Sequence, residues 1–244
     1  MKNKIEVCLS PRDFELYKEG FEIIVVIDVL RATSAICAGL ANGVKAIIPV
    51  DSIEKAENYK KQGYLVGAER KGQIVDGFDF GNSPYSFLDE KFIGKEVVLT
   101  TTNGTKSIEI SKNSGKVVIG SLVNLKALTD WLIKEEKNVL CLCSGWQDKF
   151  NLEDTICAGA IAESLFKTGK FYSEEDSTIS AQYLYKQSEV SAFGFLKASS
   201  HRRRLRKLNL NKDIKYCLTP NQLNVVPILV DGKLELINEK QSNS

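Results

Sequence analysis

Asp28 and Arg31 stand three residues apart, directly after the apolar run Val25-Val26-Ile27, and Thr33 and Ser34 follow at once. A carboxylate can hold a metal ion, and a guanidinium can clamp an oxyanion through two parallel N–H donors. If a helix opens at Thr33 or Ser34, its free N–H groups add a second attraction for anions. Acid, guanidinium and hydroxyls together suggest a site for a metal ion and a charged, phosphorylated small molecule.

Further polar segments supply partners of the same kind. Thr100-Thr101-Thr102-Asn103-Gly104-Thr105 follows an apolar run at 97–99 and offers hydroxyls, an amide, and a glycine that lets backbone N–H groups approach an anion. The same residues also suit a strand-to-helix turn capped by Thr105. Gly67-Ala68-Glu69-Arg70 and Gly77-Phe78-Asp79-Phe80-Gly81-Asn82-Ser83-Pro84 bring Glu69 and Asp79 as metal ligands, or as neighbours in an ion pair, and Arg70 as a second clamp. Glu153 and Asp154 precede an apolar helical stretch, where the helix dipole favours them and where they could also serve a metal. Cys143-Ser144 offers two nucleophiles, but the single histidine, His201, lies far off in sequence, which disfavours a Ser–His or Cys–His hydrolase site.

These residues need strand ends and helix starts to hold them. An uninterrupted apolar run such as 23–27 suits a central parallel strand buried on both faces, and open α/β sheets bind ligands at the carboxyl ends of such strands. Similar runs occur at 46–50, 97–99, 117–119 and 139–142. Between them, Ile53, Ala56 and Tyr59 after Ser52, and Leu125, Leu128 and Leu132 after Asn124, show helical spacing behind a capping residue. A further helix is expected over 154–167, closed near Gly169. The alternation implies an α/β fold, a three-layer α/β/α arrangement with a mainly parallel or mixed sheet.

Residues 67–85 lack periodicity and carry aromatics, so an ordered, functional loop is expected there. Val225-Val226-Pro227-Ile228-Leu229-Val230 and Leu234 onward, joined by Asp231-Gly232, read as a hairpin, with Pro227 favouring an edge position in the sheet. The final residues 241–244 are expected to fray. Ile36-Cys37-Ala38-Gly39 recurs as Ile156-Cys157-Ala158-Gly159, either by chance, from shared helix-packing demands or from a duplicated half.

The 244 residues fit one domain over 1–244, or two intimate halves divided near residue 135. Thirty-three basic and thirty-one acidic side chains nearly cancel, so no global field argues for nucleic acid or an anionic membrane. The dense basic stretch His201-Arg202-Arg203-Arg204-Leu205-Arg206-Lys207 could be a solvated helix face, lend an arginine to a small anion, or bind RNA. The six cysteines lie largely within apolar runs and form no paired CxxC motif, which favours free thiols in a reducing compartment. No signal-like or bilayer-length apolar stretch is found, so a cytoplasmic location without membrane partners is expected. Homo-oligomerisation is left open.

Taken in order, Ile27-Asp28-Val29-Leu30-Arg31-Ala32-Thr33, Gly67-Ala68-Glu69-Arg70, the 77–84 segment, Thr101-Thr102-Asn103-Gly104-Thr105 and Glu153-Asp154 resemble the 2-phosphosulfolactate phosphatase family. The resemblance implies a magnesium-dependent enzyme that hydrolyses 2-phospho-3-sulfolactate to 3-sulfolactate and phosphate, a step of coenzyme M biosynthesis, or acts on a related phosphorylated 2-hydroxy acid. On that reading Asp28 is a metal ligand or the nucleophile, with Glu153 and Asp154 as ligands or base, and Mg2+ could also touch Glu69 or Asp79. Arg31 and Arg70 hold phosphoryl or sulfonate oxygens, and Thr33, Asn82, Thr101, Thr102, Asn103, Gly104 and Thr105 supply neutral donors. The competing reading from another class is a non-catalytic sensor of an anionic metabolite or nucleotide.

Overall fold

Strands and helices alternate through the first two thirds of the chain, as their apolar spacing demands. The computed structural model describes residues 2–237. It opens with β1 (Asn3–Cys8), a single turn α1 (Phe14–Tyr17), β2 (Ile23–Ile27), α2 (Ala32–Ala41), β3 (Ala46–Pro49) and α3 (Ile53–Lys61). Next come β4 (Leu65–Arg70), the short β5 (Gln73–Ile74), β6 (Glu96–Thr100), α4 (Gly104–Ser111), β7 (Lys116–Gly120) and α5 (Leu125–Glu135). Then follow β8 (Val139–Cys143), α6 (Leu152–Phe166), β9 (Phe171–Tyr172), α7 (Asp176–Ser188) and α8 (Ala192–Phe195). The described chain finishes with α9 (Ser200–Lys207), α10 (Asn211–Cys217), β10 (Pro227–Val230) and β11 (Lys233–Leu236). The fraying expected of 241–244 lies outside the described residues.

β2 is buried at every residue because it has parallel partners on both sides, with Val25 opposite Val118 of β7 and Cys141 of β8. β1 extends this group beyond β8, and β3, β6 and β4 form a second parallel group. The hairpin β10–β11 joins the two groups, which corrects the expected edge position. Ile228 pairs with Val118 of β7 and Leu234 with Ile47 of β3, both antiparallel, so the hairpin lies inside a mixed sheet of order β5-β4-β6-β3-β11-β10-β7-β2-β8-β1-β9. Pro227 is tolerated because it is the first residue of its strand, where a missing N–H costs little. Its turn has Asp231 at φ 49° and Gly232 at φ 78°, the left-handed pair that a two-residue hairpin with right-twisted strands requires.

Helices cover both faces, giving the expected three-layer α/β/α arrangement. Ile23, Val25 and Ile27 pack with Leu128 and Leu132 of α5 and Ile161 and Leu165 of α6. The alternate residues Ile24 and Val26 share a second core with Ile36 and Leu40 of α2 and with Ile47, Val97 and Leu99 of β3 and β6. Residues 32–40 of α2 are all buried, because this helix packs on the sheet across β7, β10 and β3. The repeated Ile-Cys-Ala-Gly segments fall in α2 and α6, the two most enclosed helices, and a Cβ at Gly159 would collide with the Ala181 carbonyl of α7. Close helix packing accounts for that glycine.

Three local expectations are refined. Residues 67–70 belong to β4, not to an irregular loop. The segment beyond β5 is ordered by Phe80, whose ring packs edge-on against Phe87 and Phe92 at 5.2 and 5.0 Å. Ser52 caps α3 as expected, accepting the Lys55 amide. Asn124, however, accepts the Ser121 amide and donates to the Ile119 and Val225 carbonyls, so it tethers the hairpin segment and does not cap α5 through its side chain. All six cysteines are free and buried. Among the described residues no helix is long and apolar enough to cross a membrane.

Candidate active site

Segments that leave the carboxyl ends of β2, β4, β6 and β8 meet around Asp28. The contacts that join them are specific. A Cβ at Gly104, the first residue of α4, would lie 2.6 Å from Ala32 Cβ and 2.9 Å from an Asp28 carboxylate oxygen. Glycine there lets the start of α4 press against the acid. The Gln147 amide, beyond β8, donates to Asn103 Oδ1 at 3.1 Å, and Lys106 pairs with Asp148.

Asp28 is 6% exposed and its carboxylate is bonded by the Ala32 amide. Burial, reinforced by the Asp154 and Glu69 charges, pushes its pKa up to about 8 against the opposing pull of His201. Asp154 is wholly buried and has its oxygens filled: Val29 N–H donates to Oδ1 at 2.8 Å, while Gly145 N–H and Asn151 Nδ2 donate to Oδ2 at 3.0 and 2.8 Å. Burial and the adjacent Glu153 push it up to about 7, against those three donors. Asp154 therefore organises the strand ends that flank Asp28. The helix α6 that carries it starts two residues before the expected position, at Leu152, with Asn151 as its cap.

Glu69 reaches the same centre from β4. Its oxygens accept the Gly72 amide at 2.5 Å, the Thr102 amide at 3.3 Å and the Thr102 hydroxyl, with Asn82 Nδ2 at 3.5 Å. Arg70 donates to the Glu69 carbonyl at 2.6 Å and to Thr100 Oγ1 at 3.1 Å, and burial pulls its pKa down. Thr101 and Thr105 cap one another reciprocally at the start of α4, which is the capping reading of that motif. Thr33 Oγ1 accepts the Asp28 amide at 3.1 Å and so fixes the backbone of the acid.

Two expected ligand residues are placed differently. Asp79 accepts the Val66 amide at 2.9 Å and sits beside Lys60, at the opposite end of β4 from Glu69, so the structure does not bring it to the acid cluster. Arg31 is buried at the site, but its guanidinium is engaged by Asp213 at 2.5 Å and by the Gly72 carbonyl at 2.9 Å. It ties α10 and the β4–β5 turn to the β2 end.

Several site residues escape sequence reasoning. His201 Nδ1 lies 2.6 Å from Glu153 Oε1, and Ser199 Oγ donates to Glu153 Oε2 at 3.3 Å, so the basic helix α9 docks on the site through its first turn. The Trp146 ring packs on His201 at 5.1 Å. Asp213 is 182 positions from Arg31, and no local pattern marks it. Asn151, three residues before Asp154, does have a signal: a capping side chain ahead of an apolar helix.

Among the described residues, no group of three or more His, Cys, Asp or Glu side chains is gathered to hold a metal ion. Magnesium does not need such a cage, because it usually takes one or two carboxylates and completes its shell with water and phosphate oxygens. Asp28 fits that demand: a buried acid, crowded by two other acids, whose carboxylate has no side-chain hydrogen-bond donor among the described residues.

Fold and site together are those of an α/β protein with a buried acid cluster at the carboxyl ends of its parallel strands. The sequence profile of the 2-phosphosulpholactate phosphatase family matches residues 8–232. The chain belongs to that family. It is 38% identical over 213 residues to a "Probable 2-phosphosulfolactate phosphatase" of Caldanaerobacter subterraneus subsp. tengcongensis, covering 86% of this chain and 88% of the relative. Proteins of the same description from Thermotoga maritima and Clostridium acetobutylicum are 41% identical over 208 residues (85% and 89% covered) and 35% identical over 235 residues (95% and 99% covered).

Proposed function

We propose that this protein hydrolyses 2-phospho-3-sulfolactate, or a closely related phosphorylated 2-hydroxy acid, to the free hydroxy acid and phosphate. The buried, charge-crowded Asp28 carboxylate against the glycine-opened start of α4 is the observation that carries this reading. Released 3-sulfolactate would feed coenzyme M synthesis in a cell that makes it. Six buried, unpaired thiols support a reducing, cytoplasmic setting.

Asp28 would hold Mg2+, which when bound neutralises phosphoryl oxygens and orients a water nucleophile. Alternatively the Asp28 carboxylate attacks phosphorus. The P–O bond to the hydroxy acid breaks as the new bond forms, and the departing oxygen takes a proton from water. A water molecule then hydrolyses the aspartyl phosphate to free phosphate. In either case Asp154 holds the backbone on both sides of the reacting acid, at Val29 and Gly145. Glu69 fixes the Thr102 turn. Glu153 orients the His201 ring through Nδ1, 2.6 Å away, and that ring lies within electrostatic reach of Asp28. Phosphate monoesters are among the slowest compounds to hydrolyse unaided, so positioning and charge neutralisation must supply most of the acceleration.

The test is phosphate release from synthetic 2-phospho-3-sulfolactate by the purified protein, with Mg2+ and with EDTA. Release that needs Mg2+ and vanishes in Asp28→Asn is the expected result. Binding without release would favour a metabolite sensor. Mg2+-independent release would remove the metal from the proposal, and trapping of a phosphoryl group on Asp28 would choose attack by the carboxylate over attack by water.

A further inference from the structure

Residues 191–218, which carry α8, α9 and α10, hold eight lysines and arginines but a single acid. That acid, Asp213, is committed to Arg31, and none of the eight cations forms an ion pair among the described residues. Lys197, Arg203, Arg206, Lys207, Lys212 and Lys215 are exposed. Cations around the amino ends of β6, β7 and β9 are placed differently. There Lys45 and Lys233 share Glu96, Lys116 pairs with Glu135, and Lys170 pairs with Glu136. The surface of α9 and α10 is thus an uncompensated positive patch on a chain whose net charge is only +2.

Both helices are docked on the site. His201 Nδ1 of α9 meets Glu153 Oε1 at 2.6 Å, and Asp213 of α10 holds Arg31 at 2.5 Å. Lys207, the farthest cation of α9, lies six residues beyond His201, about 9 Å along a helix axis. That is within the Debye length of about 10 Å at 0.1 M salt. Lys212 and Lys215 flank Asp213 on α10.

The site they border is crowded by Asp28, Glu69, Glu153 and Asp154, all buried. These carboxylates repel a substrate that carries phosphate, sulfonate and carboxylate together, and the nearby Arg31 and Arg70 already have partners. An opposing field from outside the acid cluster offsets that repulsion, and it acts without contact between the cations and the bound molecule. Nucleic acid fits the patch less well. Bases bind by stacking on open aromatic faces, whereas here Arg202 and Lys215 lie over Phe193, Lys212 over Tyr85 and Arg204 over Trp146.

We propose that the exposed cations of α9 and α10 form a collar whose field draws the multiply charged substrate to the acid-lined site and favours it over less charged hydroxy acid phosphates. The inference rests on the hydrolytic reading of the site. It gives the basic helix a role in capture; the reacting phosphoryl group stays with Asp28.

Salt dependence of kcat/KM tests it, on 2-phospho-3-sulfolactate and on 2-phospholactate, which lacks the sulfonate. In wild type, kcat/KM for the sulfonated substrate should fall about tenfold between about 20 and about 300 mM KCl, and less for 2-phospholactate. The variant Lys197→Gln/Arg203→Gln/Arg206→Gln/Lys207→Gln should lose about tenfold at low salt, with kcat within about twofold and the salt dependence nearly gone. Lys212→Gln/Lys215→Gln on α10 should lose about threefold. Removing as much charge from the other end of the sheet, in Lys45→Gln/Lys95→Gln/Lys112→Gln/Lys170→Gln, should leave the wild-type salt dependence intact. The same salt dependence in wild type and the α9 variant, or an equal loss in the distant variant, would overturn the proposal. So would tight binding of an oligouridylate that the α9 variant loses while its kcat/KM is unchanged. Calorimetric titration with 3-sulfolactate separates the collar from the hydrolytic reading. Should wild type release phosphate from neither ester, salt-sensitive binding of 3-sulfolactate that weakens in the α9 variant upholds the collar, whereas salt-insensitive binding or none overturns it.

Discussion

Asp154 Oδ1 accepts the amide of Val29 at 2.8 Å, so one buried carboxylate sets the backbone immediately after Asp28. Its other oxygen does the same for Gly145 at the end of β8. Replacing Asp154 by Asn turns one acceptor into a donor that faces other donors. We expect Asp154→Asn to lower stability by about 1–3 kcal/mol through unsatisfied buried groups, and to lower kcat through the displaced Asp28. Denaturant melts and steady-state kinetics on the same preparations check both effects; a variant as stable and as active as wild type would refute them.

The raised pKa of Asp28 gives a pH dependence with a definite sign. Its folded pKa of about 8 exceeds its ordinary value, so between those values the folded chain binds more protons than the unfolded one. Stability therefore falls as pH rises through that window, and Asp154, at about 7, acts in the same direction. Asp28→Asn should flatten the slope and raise Tm most at pH 8 and above, while abolishing turnover. Thermal melts from pH 5 to 9 measure the slope, and a wild-type pH profile in that variant would contradict the assignment.

A cation bound at Asp28 must compete with the same protons. Millimolar Mg2+ should raise Tm more at pH 8 than at pH 5.5, and EDTA should reverse the gain. In Asp28→Asn the increment should disappear.

How much of this was legible in the sequence differs by element. β2 with Asp28 at its end was readable because burial on both faces leaves an uninterrupted apolar run, and the 97–99, 117–119 and 139–142 runs were readable for the same reason. The capping role of Thr105 was legible too, as an alternative to ligand binding, but its reciprocal partner Thr101 was not. The position of the hairpin was not: Pro227 signals a constraint on its own N–H but says nothing about which strands lie alongside. Nor could spacing show that Arg31 is engaged by Asp213, or that Glu153 meets His201, because pairs so distant in sequence are made by the fold alone. Asp79 misled for a related reason. An acid in a glycine-rich loop looks the same whether it faces a ligand or ties down its own strand.

The Arg31–Asp213 pair is buried on both sides, and removing one partner strands the other charge. Asp213→Asn should cost about 3–5 kcal/mol and weaken the docking of α10. The double variant Arg31→Met/Asp213→Leu should recover much of that stability. A double-mutant cycle by chemical denaturation reads the coupling, and an additive result would show that the pair is not coupled.

The thiols offer a probe of global opening. Burial pushes Cys141 and Cys217 up to about 12, and Cys143 and Cys157 rise as well. Native protein should react with a thiol reagent only as fast as it unfolds, with all six groups appearing together in denaturant. Early labelling of one cysteine would locate a region that opens alone.

The inward hairpin has a consequence for how the chain matures. β3 and β7 are synthesised long before β10 and β11, yet each is completed on one side only by that hairpin. Until it arrives, two nascent sheets each carry a raw edge of the kind that recruits other chains. The hairpin thus acts as a clasp, and the interval before it closes is when the protein is most exposed to aggregation.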